Sequence, residues 1–246
     1  MQTFYFTDPG KVRSHNEDSV TILNNEHGDF VLAVADGMGG HKAGEVASSI
    51  AIEHITNRFY QLEEMGPKDN AIEWLRTIVK EINDQIFEYA KKNPQNKGLG
   101  TTLVIAIKTN DYILYGNIGD SSGFVIKNNI LNKVTKDHTY VGMLVSNGKI
   151  SEESAKTHPG RNLLTRALGA NNPIEIDIFD IDTSVKGLFQ CSDGLTNMLT
   201  QEQIEKVLNS NLSIEEAVVK LIKKANLRGG TDNISIAYLK KESGEL

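Results

Sequence analysis

An α+β fold, with helices on the outer faces of antiparallel sheets, is predicted by the order of the apolar patterns along the chain. Strand-like segments follow one another directly near the N-terminus and again in the middle of the sequence, and amphipathic helices come in pairs. Consecutive strands with short connections pair antiparallel, because parallel pairing needs a long crossover. The 246 residues contain no internal repeat and no linker, so we expect one domain over residues 1–246.

The N-terminal part of the chain predicts three strands followed by two long helices. Apolar residues alternate over 4–7 and 20–23, and residues 30–35 are continuously apolar, as is typical of a strand buried on both faces. Over 43–59 and 71–90, apolar residues recur every three or four positions. That spacing indicates amphipathic helices.

The middle of the chain predicts a meander of antiparallel strands. Their ranges are 101–107, 112–118, 123–126 and 130–134. Lys127, Asn128 and Asn129 supply a tight turn before the last strand.

After the meander the pattern weakens. Over residues 140–165, short helical pieces are interrupted by Asn147-Gly148 and Pro159-Gly160, which indicates an excursion over the surface. Regular elements then resume, with strands at 174–181, 187–191 and 234–239 and helices at 204–208 and 214–227.

The composition excludes several classes of function. The 26 Lys and Arg residues against 32 Asp and Glu residues give a net charge of -6, which repels the phosphate backbone of nucleic acid. Cys191 is the only cysteine, so no intrachain disulfide or multi-cysteine zinc site can form, and a reducing compartment fits best. No apolar stretch is long enough to cross a bilayer, and the N-terminus lacks a basic region followed by an apolar one. We expect a cytoplasmic protein with no nucleic-acid partner and no membrane insertion.

Three aspartates lie at or beside predicted apolar strands. Asp36 follows residues 30–35, Asp193 follows the strand that ends at Cys191, and Asp232 shortly precedes the last strand. An ionised carboxylate near a core costs several kcal/mol unless a counter-ion or hydrogen bonds offset it. We therefore expect positive charge at these positions, and oxygen ligands suit Mg²⁺ or Mn²⁺.

The alternative is that Asp36-Gly37 and Asp193-Gly194 are hairpin turns, because Asp-Gly readily adopts the positive φ angles that such turns need. Neither pair is followed by a second alternating strand: the first leads into a long helix and the second into another helical segment. A carboxylate delivered to a cleft at the end of a strand is therefore favoured.

Two further segments carry candidate site residues. In the loop around residues 13–18, Arg13 can bind phosphate in bidentate fashion, and Glu17 and Asp18 can hold metal-bound water. Taken alone, such a loop is usually only a solvated, charged turn. Asp120 follows another apolar strand, although Gly119-Asp120-Ser121 is also an ordinary turn sequence.

The glycine-rich segment 37–42 matches neither the dinucleotide-binding pattern nor the P-loop pattern. Its glycines, Gly37, Gly39 and Gly40, still give the backbone freedom for carbonyl oxygens to approach a cation closely. The six histidines include no pair of the His-Glu-x-x-His type, so a zinc site on a helix is not indicated.

Taken in order, these motifs resemble those of the bacterial branch of the PPM, or PP2C-type, serine/threonine phosphatases, and the resemblance extends from about Phe4 to Tyr238. The motifs are R-x-x-N-E-D at 13–18, D-G-M-G-G-H at 36–41, G-T-T at 100–102, N-I-G-D-S at 117–121, S-D-G at 192–194 and G-T-D-N at 230–233. Each motif alone is weak, but the ordered set is specific. The resemblance implies a four-layer α-β-β-α sandwich, in which two antiparallel sheets pack face to face with helices outside.

The resemblance also implies the roles of the site residues. Asp36 bridges two Mn²⁺ or Mg²⁺ ions, the Gly37 carbonyl completes one metal site, and Asp193 and Asp232 complete the other. Asp120, together with Asp193, matches the position of a third metal ion in bacterial members. Arg13 matches the residue that holds the substrate phosphate.

The implied activity is hydrolysis of phosphoserine and phosphothreonine in proteins. A hydroxide bridging two metal ions attacks phosphorus in line, so no protein nucleophile is needed. The implied partners are phosphorylated proteins, including a bacterial Ser/Thr kinase and its substrates, and the protein is expected to be a monomer. The alternatives are a non-catalytic PPM-like binding module and a two-metal hydrolase of small phosphoesters.

Three departures from the family pattern qualify these roles. Animal members place a histidine, the proposed general acid, directly after Asp-Gly, where this chain has Met38, and His41 follows three residues later. We therefore expect His41 to have at best an auxiliary catalytic role. Ser122 stands where many relatives carry arginine, which is expected to change the affinity for a third metal ion. The excursion at 140–165, with its distinct residues 146–148, matches the variable flap beside the family's active site.

Overall fold

The computed structural model describes residues 1–39, 43–96 and 98–242. The strands are β1 (Gln2–Asp8), β2 (Asp18–Asn24), β3 (Phe30–Met38), β4 (Gly100–Thr101), β5 (Leu103–Lys108), β6 (Ile113–Ile118), β7 (Ser122–Lys127), β8 (Ile130–Lys133), β9 (Asp177–Ile181), β10 (Gly187–Cys191) and β11 (Ile234–Lys240). The helices are α1 (Ala43–Tyr60), α2 (Lys68–Lys92), α3 (Tyr140–Ser146), α4 (Glu152–Thr157), α5 (Asp193–Thr196), α6 (Gln201–Leu208) and α7 (Ile214–Leu227).

The strands of this described part form two sheets in which neighbouring strands are antiparallel. One sheet has the order β1-β11-β10-β7-β8, and the other has the order β2-β3-β5-β6-β9, with β4 paired to β3. Apolar clusters lie between α1 and α2 and the second sheet, between the two sheets, and between α5 to α7 and the first sheet. The predicted α+β class and its helix-sheet-sheet-helix layers are confirmed.

Strand β3 shows why the inner layers need strands that are apolar on both faces. Val31, Ala33 and Ala35 pack in the cluster under α1 and α2, whereas Leu32 and Val34 pack against the other sheet. Successive side chains of a strand point to opposite faces, so a strand between two apolar layers has no face for polar residues. The predicted burial of residues 30–35 on both faces is confirmed.

The prediction of one meander over residues 101–134 is wrong. Strand β6 pairs with β5 and β9, whereas β7 pairs with β8 and β10 in the other sheet. The chain changes sheets at Gly119, whose φ angle of +98° is one that glycine adopts without strain. Apolar alternation predicts which face of a strand is buried, but it does not predict which strand lies beside it.

The predicted tight turn between β7 and β8 is confirmed. Asn128 and Asn129 have φ angles of +54° and +63°, and Lys127 pairs with Ile130 across the hairpin. Two successive positive φ angles are typical of the type I′ turn, whose twist matches that of the flanking strands.

Tyr115 joins the two sheets through the central apolar layer. Its side chain is fully buried, and its hydroxyl donates a hydrogen bond to the carbonyl oxygen of Phe124 at 2.9 Å. Tyr115 belongs to β6 and Phe124 to β7, so this bond crosses from one sheet to the other. Burial raises the pKa of the Tyr115 hydroxyl far above its usual value, so the group keeps its proton and remains a donor.

We predict that Tyr115→Phe lowers the free energy of unfolding by about 1 kcal/mol, because it removes a buried hydrogen bond without opening a large cavity. Urea denaturation measures the change. Tyr60→Phe is the matched control, since Tyr60 is 65% exposed and should give little change. Equal effects of the two substitutions would contradict a stabilising bond between the sheets.

Candidate active site

The acidic residues singled out by the sequence lie together at one end of the two sheets. Asp18 and Asp36 are directly opposite each other on the antiparallel strands β2 and β3, so their side chains share one face. Asp193 follows the end of β10, and Asp232 lies two residues before β11, the antiparallel neighbour of β10. Carboxylates from both sheets therefore meet in one place.

The pKa values show that these carboxyl groups interact. Burial raises the pKa of Asp36 well above its usual value, and the charges of the surrounding aspartates raise it further. Burial, together with the charges of Asp193 and Asp232, raises the pKa of Asp18 to about 7, although hydrogen bonds from serine side chains oppose the shift. Burial and the charge of Asp193 raise the pKa of Asp120 to about 7. A bound cation would offset the repulsion among these groups.

The chemistry of this donor set fits a hard divalent cation. Asp36 and Asp193 lie close enough to share a hydrogen bond. The Oδ1 atom of Asp18 is buried without a hydrogen-bond partner among the described residues, whereas its Oδ2 atom accepts from Ser192 Oγ at 2.7 Å. Carboxylate oxygens are the ligands that Mg²⁺ and Mn²⁺ prefer.

The carboxylates are not, however, arranged as a finished coordination shell. Across the described ranges, no three His, Cys, Asp or Glu side chains are gathered closely enough to hold an ion. Asp232 instead accepts a hydrogen bond from Arg13 Nη2 at 2.8 Å through its Oδ2 atom. The assignment of a metal site therefore rests on the donor chemistry and on the mutual repulsion of the carboxylates.

Two threonines hold the main chain of Asp36. Thr102 N–H and Thr101 Oγ1 both donate to the carbonyl oxygen of Asp36, at 2.9 and 3.0 Å. The N–H of Asp36 donates to Thr102 Oγ1 at 3.0 Å. Asp36 therefore lies within a strand that continues to Met38 and pairs with β4, and the hairpin-turn alternative is wrong. Thr101 and Thr102 belong to the G-T-T motif at 100–102, but no role was predicted for them.

Gly37 allows α1 to pack directly against β3. A Cβ atom at Gly37 would lie 2.1 Å from the carbonyl oxygen of Gly44 and 2.4 Å from that of Glu17. Any side chain here would push the start of α1 and the Glu17 loop away from Asp36. The close approach seen at Gly37 is made by a helix and a loop, whereas the sequence predicted close approach of a carbonyl to a cation. The metal-binding role of the Gly37 carbonyl stays a prediction.

Asn233 positions the loop that carries Arg13. Its side chain is buried, and its Nδ2 group donates to the carbonyl oxygens of Pro9 and His15, both at 2.9 Å. Its Oδ1 atom accepts from Glu17 N–H at 2.9 Å. One amide thus holds both ends of the Arg13 loop beside Asp232. Asn233 belongs to the G-T-D-N motif, but its role was not predicted, because its partners lie more than two hundred positions away in the sequence.

A cleft of about 960 Å³ opens over the acidic residues. Arg13, Asp120, Asp193 and Asp232 line it, so these four predicted site residues border one open space. Part of its wall comes from the segment predicted as an excursion, through Val141, Ala155, Thr157, Arg161 and Asn162, and Thr139 lines it just before that segment. Ser122, the departure noted above, also lines the cleft.

Some predicted participants are placed less directly. His41 and Gly40 lie outside the described residues, so the auxiliary role of His41 stays a prediction. Glu17 is half-buried next to the Arg13 loop. Burial raises the pKa of Glu17 above its usual value, although the charge of Arg13 acts in the opposite direction.

No helix in the described ranges has the length and apolar character needed to cross a membrane.

Comparison with known proteins identifies the family to which this chain is similar. Residues 11–227 match the family model described as protein phosphatase 2C. The serine/threonine phosphatase Stp of Listeria welshimeri is 38% identical over 242 residues, which cover 98% of this chain and 96% of that protein. The protein phosphatase PhpP of Streptococcus pneumoniae is 31% identical over 240 residues, 97% of each chain.

Solved structures agree in fold. The S. agalactiae serine/threonine phosphatase superposes with a TM-score of 0.93 at 32% identity and covers 98% of this chain and 99% of its own. The serine/threonine phosphatase Stp1 from Staphylococcus aureus gives a TM-score of 0.91 at 35% identity, over 98% of this chain and 95% of its own.

We predict that, in the presence of a chelator, the free energy of unfolding falls as the pH rises from about 4 towards 7 and beyond. The folded-state pKa values of Asp18 and Asp120 are about 7, above the value of about 3.9 for an unfolded chain. The folded state therefore binds these protons more tightly, and the stability they contribute is lost as the pH rises through the folded pKa.

Urea denaturation at several pH values, with wild type and Asp18→Asn side by side, measures this dependence. The asparagine keeps an acceptor for Ser192 and removes one carboxyl group, so its pH dependence should be shallower. If the stability of Asp18→Asn depended on pH as strongly as that of the wild type, Asp18 would not be a source of the pH dependence. Added Mn²⁺ should restore the stability of the wild type at neutral pH.

Proposed function

This chain belongs to the protein phosphatase 2C family, and we propose that it is a metal-dependent phosphatase that hydrolyses phosphoserine and phosphothreonine in proteins. The observation that carries the proposal is the clustering of mutually repelling carboxylates from both sheets, with Asp120, Asp193 and Asp232 lining an open cleft beside Arg13. The relatives named above are serine/threonine phosphatases, and this chain matches them over nearly their whole length. They support the same reaction.

We propose that Asp36, the Gly37 carbonyl, Asp193 and Asp232 hold two divalent ions, Mn²⁺ or Mg²⁺, and that Asp120 with Asp193 holds a third. Divalent ions held there supply hydroxide near neutral pH by lowering the pKa of water. The raised pKa values of Asp36 and Asp120 support this assignment, because burial and the charges of neighbouring aspartates disfavour the ionised carboxylates, and a bound cation would favour them.

Arg13 is proposed to bind the substrate phosphate. Its guanidinium group has five N–H donors in a planar fork, and the bond to Asp232 engages the Nη2 group. Its side chain is half-exposed on the cleft, so further donors can reach phosphate oxygens there. Because Asn233 holds the loop, the guanidinium approaches the cleft from a fixed direction, and it stabilises charge on the transferred phosphoryl group.

Glu17 and Asp18 are proposed to act behind the ligands by holding water. Asp18 is suited to this because its Oδ2 atom is fixed by Ser192, while its Oδ1 atom still has acceptor capacity. His41 is proposed as an auxiliary proton donor to the leaving serine or threonine oxygen.

The proposed substrates are phosphorylated proteins, including a bacterial Ser/Thr kinase and the targets of that kinase. We also propose a cytoplasmic location and a monomeric state, with a single domain over residues 1–246. The segment 140–165 is proposed to act as a flap, since its residues line the cleft that the substrate must enter.

We predict Mn²⁺-dependent release of phosphate from a phosphothreonine peptide. Chelation and Asp193→Ala should each lower kcat by about a hundredfold or more, because both remove electrostatic stabilisation of the transition state. Arg13→Ala should raise KM as well as lower kcat, since it removes a contact to the phosphate.

Asp84→Ala is the matched control for Asp193→Ala, because Asp84 is an exposed aspartate on α2. It should leave the rate unchanged. Full activity in the chelator, or in Asp193→Ala, would overturn the metal-dependent mechanism.

A further inference from the structure

His138 is a buried histidine that contacts the Gly119-Asp120 turn from behind. It is 9% exposed. Its Nδ1 atom accepts a hydrogen bond from Gly119 N–H at 3.1 Å, and its own main-chain N–H donates to the Gly119 carbonyl oxygen at 2.9 Å. One residue therefore holds Gly119 through both polar groups of its backbone.

The hydrogen bonds at the two ring nitrogens fix the tautomer of His138. Gly119 N–H can only donate, so Nδ1 carries no proton, and the proton of the neutral ring lies on Nε2. That nitrogen is 3.1 Å from Asp177 Oδ2, and Arg166 donates to the second oxygen of the same carboxylate. Burial acts to raise the pKa of Asp177, but the hydrogen bonds from Arg166 and His138 outweigh it and the pKa is lowered. Asp177 is therefore an ionised acceptor that holds the imidazole in the required tautomer.

The Gly119-Asp120 turn depends on side chains for its position. Residues 119–121 lie between β6 and β7, which belong to different sheets, so the ladder of neither sheet fixes them. Asn117 Nδ2 also donates to the Gly119 carbonyl oxygen, at 3.2 Å. A Cβ atom at Gly119 would lie 2.6 Å from the side chain of Thr102, so the turn is closely packed on that side.

His138 also lies where the proposed flap leaves and rejoins the rest of the chain. Its carbonyl oxygen accepts from Thr165 N–H at 2.8 Å, and its neighbour Thr139 forms an isolated bridge with Leu164. The same residue is thus bonded to the base of the flap and to the turn that carries Asp120.

We propose that His138 is a positioning residue: its Nδ1 acceptor fixes Gly119 and thereby orients the Asp120 carboxylate in the cleft, while Asp177 holds the ring in the tautomer that this bond needs. The proposal rests on the proposed function in one respect, namely that Asp120 contributes to binding a divalent ion. It extends that function by giving Asp120 a specific support outside the cleft.

Two conservative variants separate the two sides of the ring. Asparagine places its Oδ1 atom near the position of Nδ1, so His138→Asn keeps the acceptor for Gly119 and loses the donor to Asp177. Glutamine reaches towards the position of Nε2, so His138→Gln keeps the donor to Asp177 and loses the acceptor for Gly119. If His138 had only a structural role, the losses of Mn²⁺ binding and of kcat would follow the loss of stability in both variants.

The test measures Mn²⁺ binding by calorimetry, kcat and KM on a phosphothreonine peptide, and melting temperature for the wild type, His138→Asn, His138→Gln, Asp120→Asn and the His138→Gln/Asp120→Asn double variant. We expect His138→Gln to weaken the weakest Mn²⁺ binding step and to lower kcat, each by about tenfold or more, as the loss of outer-shell support does elsewhere. His138→Asn should recover most of both losses. In the Asp120→Asn background, His138→Gln should have little further effect, because the residue through which it acts has already been changed.

Equal losses in the two His138 variants that follow their melting temperatures would overturn the proposal. So would a full His138→Gln effect in the Asp120→Asn background, or an Asp120→Asn variant that binds Mn²⁺ like the wild type. A wild type that binds Mn²⁺ but releases no phosphate would count against the proposed function alone. In that case, weaker Mn²⁺ binding in His138→Gln with recovery in His138→Asn would still support the positioning role.

Discussion

Electrostatic repulsion among buried carboxylates is the interaction on which the rest of this structure depends. The register of β2 and β3 places Asp18 opposite Asp36, and the antiparallel pair β10 and β11 brings Asp193 and Asp232 to the same end of the molecule. Like charges in a partly desolvated site raise one another's pKa values and destabilise the folded chain at neutral pH. A fold can keep these carboxylates together only if the surrounding structure is stable enough to resist their repulsion. A cation that binds among them recovers the lost stability.

The sandwich supplies that resistance through rigid strands and through side chains that hydrogen-bond to the main chain. The middle strands are apolar on both faces, so they cannot shift without exposing core residues. At the acidic end, Thr102, Ser192 and Asn233 hold the backbone or carboxyl groups of neighbouring segments. Their bonds join positions far apart in sequence, so they fix the relative positions of elements that carry the proposed ligands. Catalytic loops on a rigid scaffold are a general solution to this requirement.

Much of this could be predicted from the sequence, and the failures have physical reasons. Strand β10 and helix α7 were predicted with the ends that the structure shows. In the structure, a capping box of Ser213 and Glu216 marks the start of α7. Strand β9 begins at Asp177 rather than at Ile174, because residues 174–176 pack against the core without strand pairing. The aspartates were identifiable because a carboxylate beside an apolar strand is costly. The roles of Thr102, Asn233 and His138 could not be predicted, since these side chains act through main-chain contacts that only the folded structure creates.

The central claim is that carboxylates from both sheets share bound divalent ions. Anomalous scattering from crystals grown with Mn²⁺ tests it most directly, because it locates manganese without reference to activity. We predict strong anomalous peaks among Asp36, Asp193 and Asp232 in the wild type, and their loss in Asp36→Asn. Wild-type crystals that contain manganese elsewhere, with none beside these three carboxylates, would contradict it.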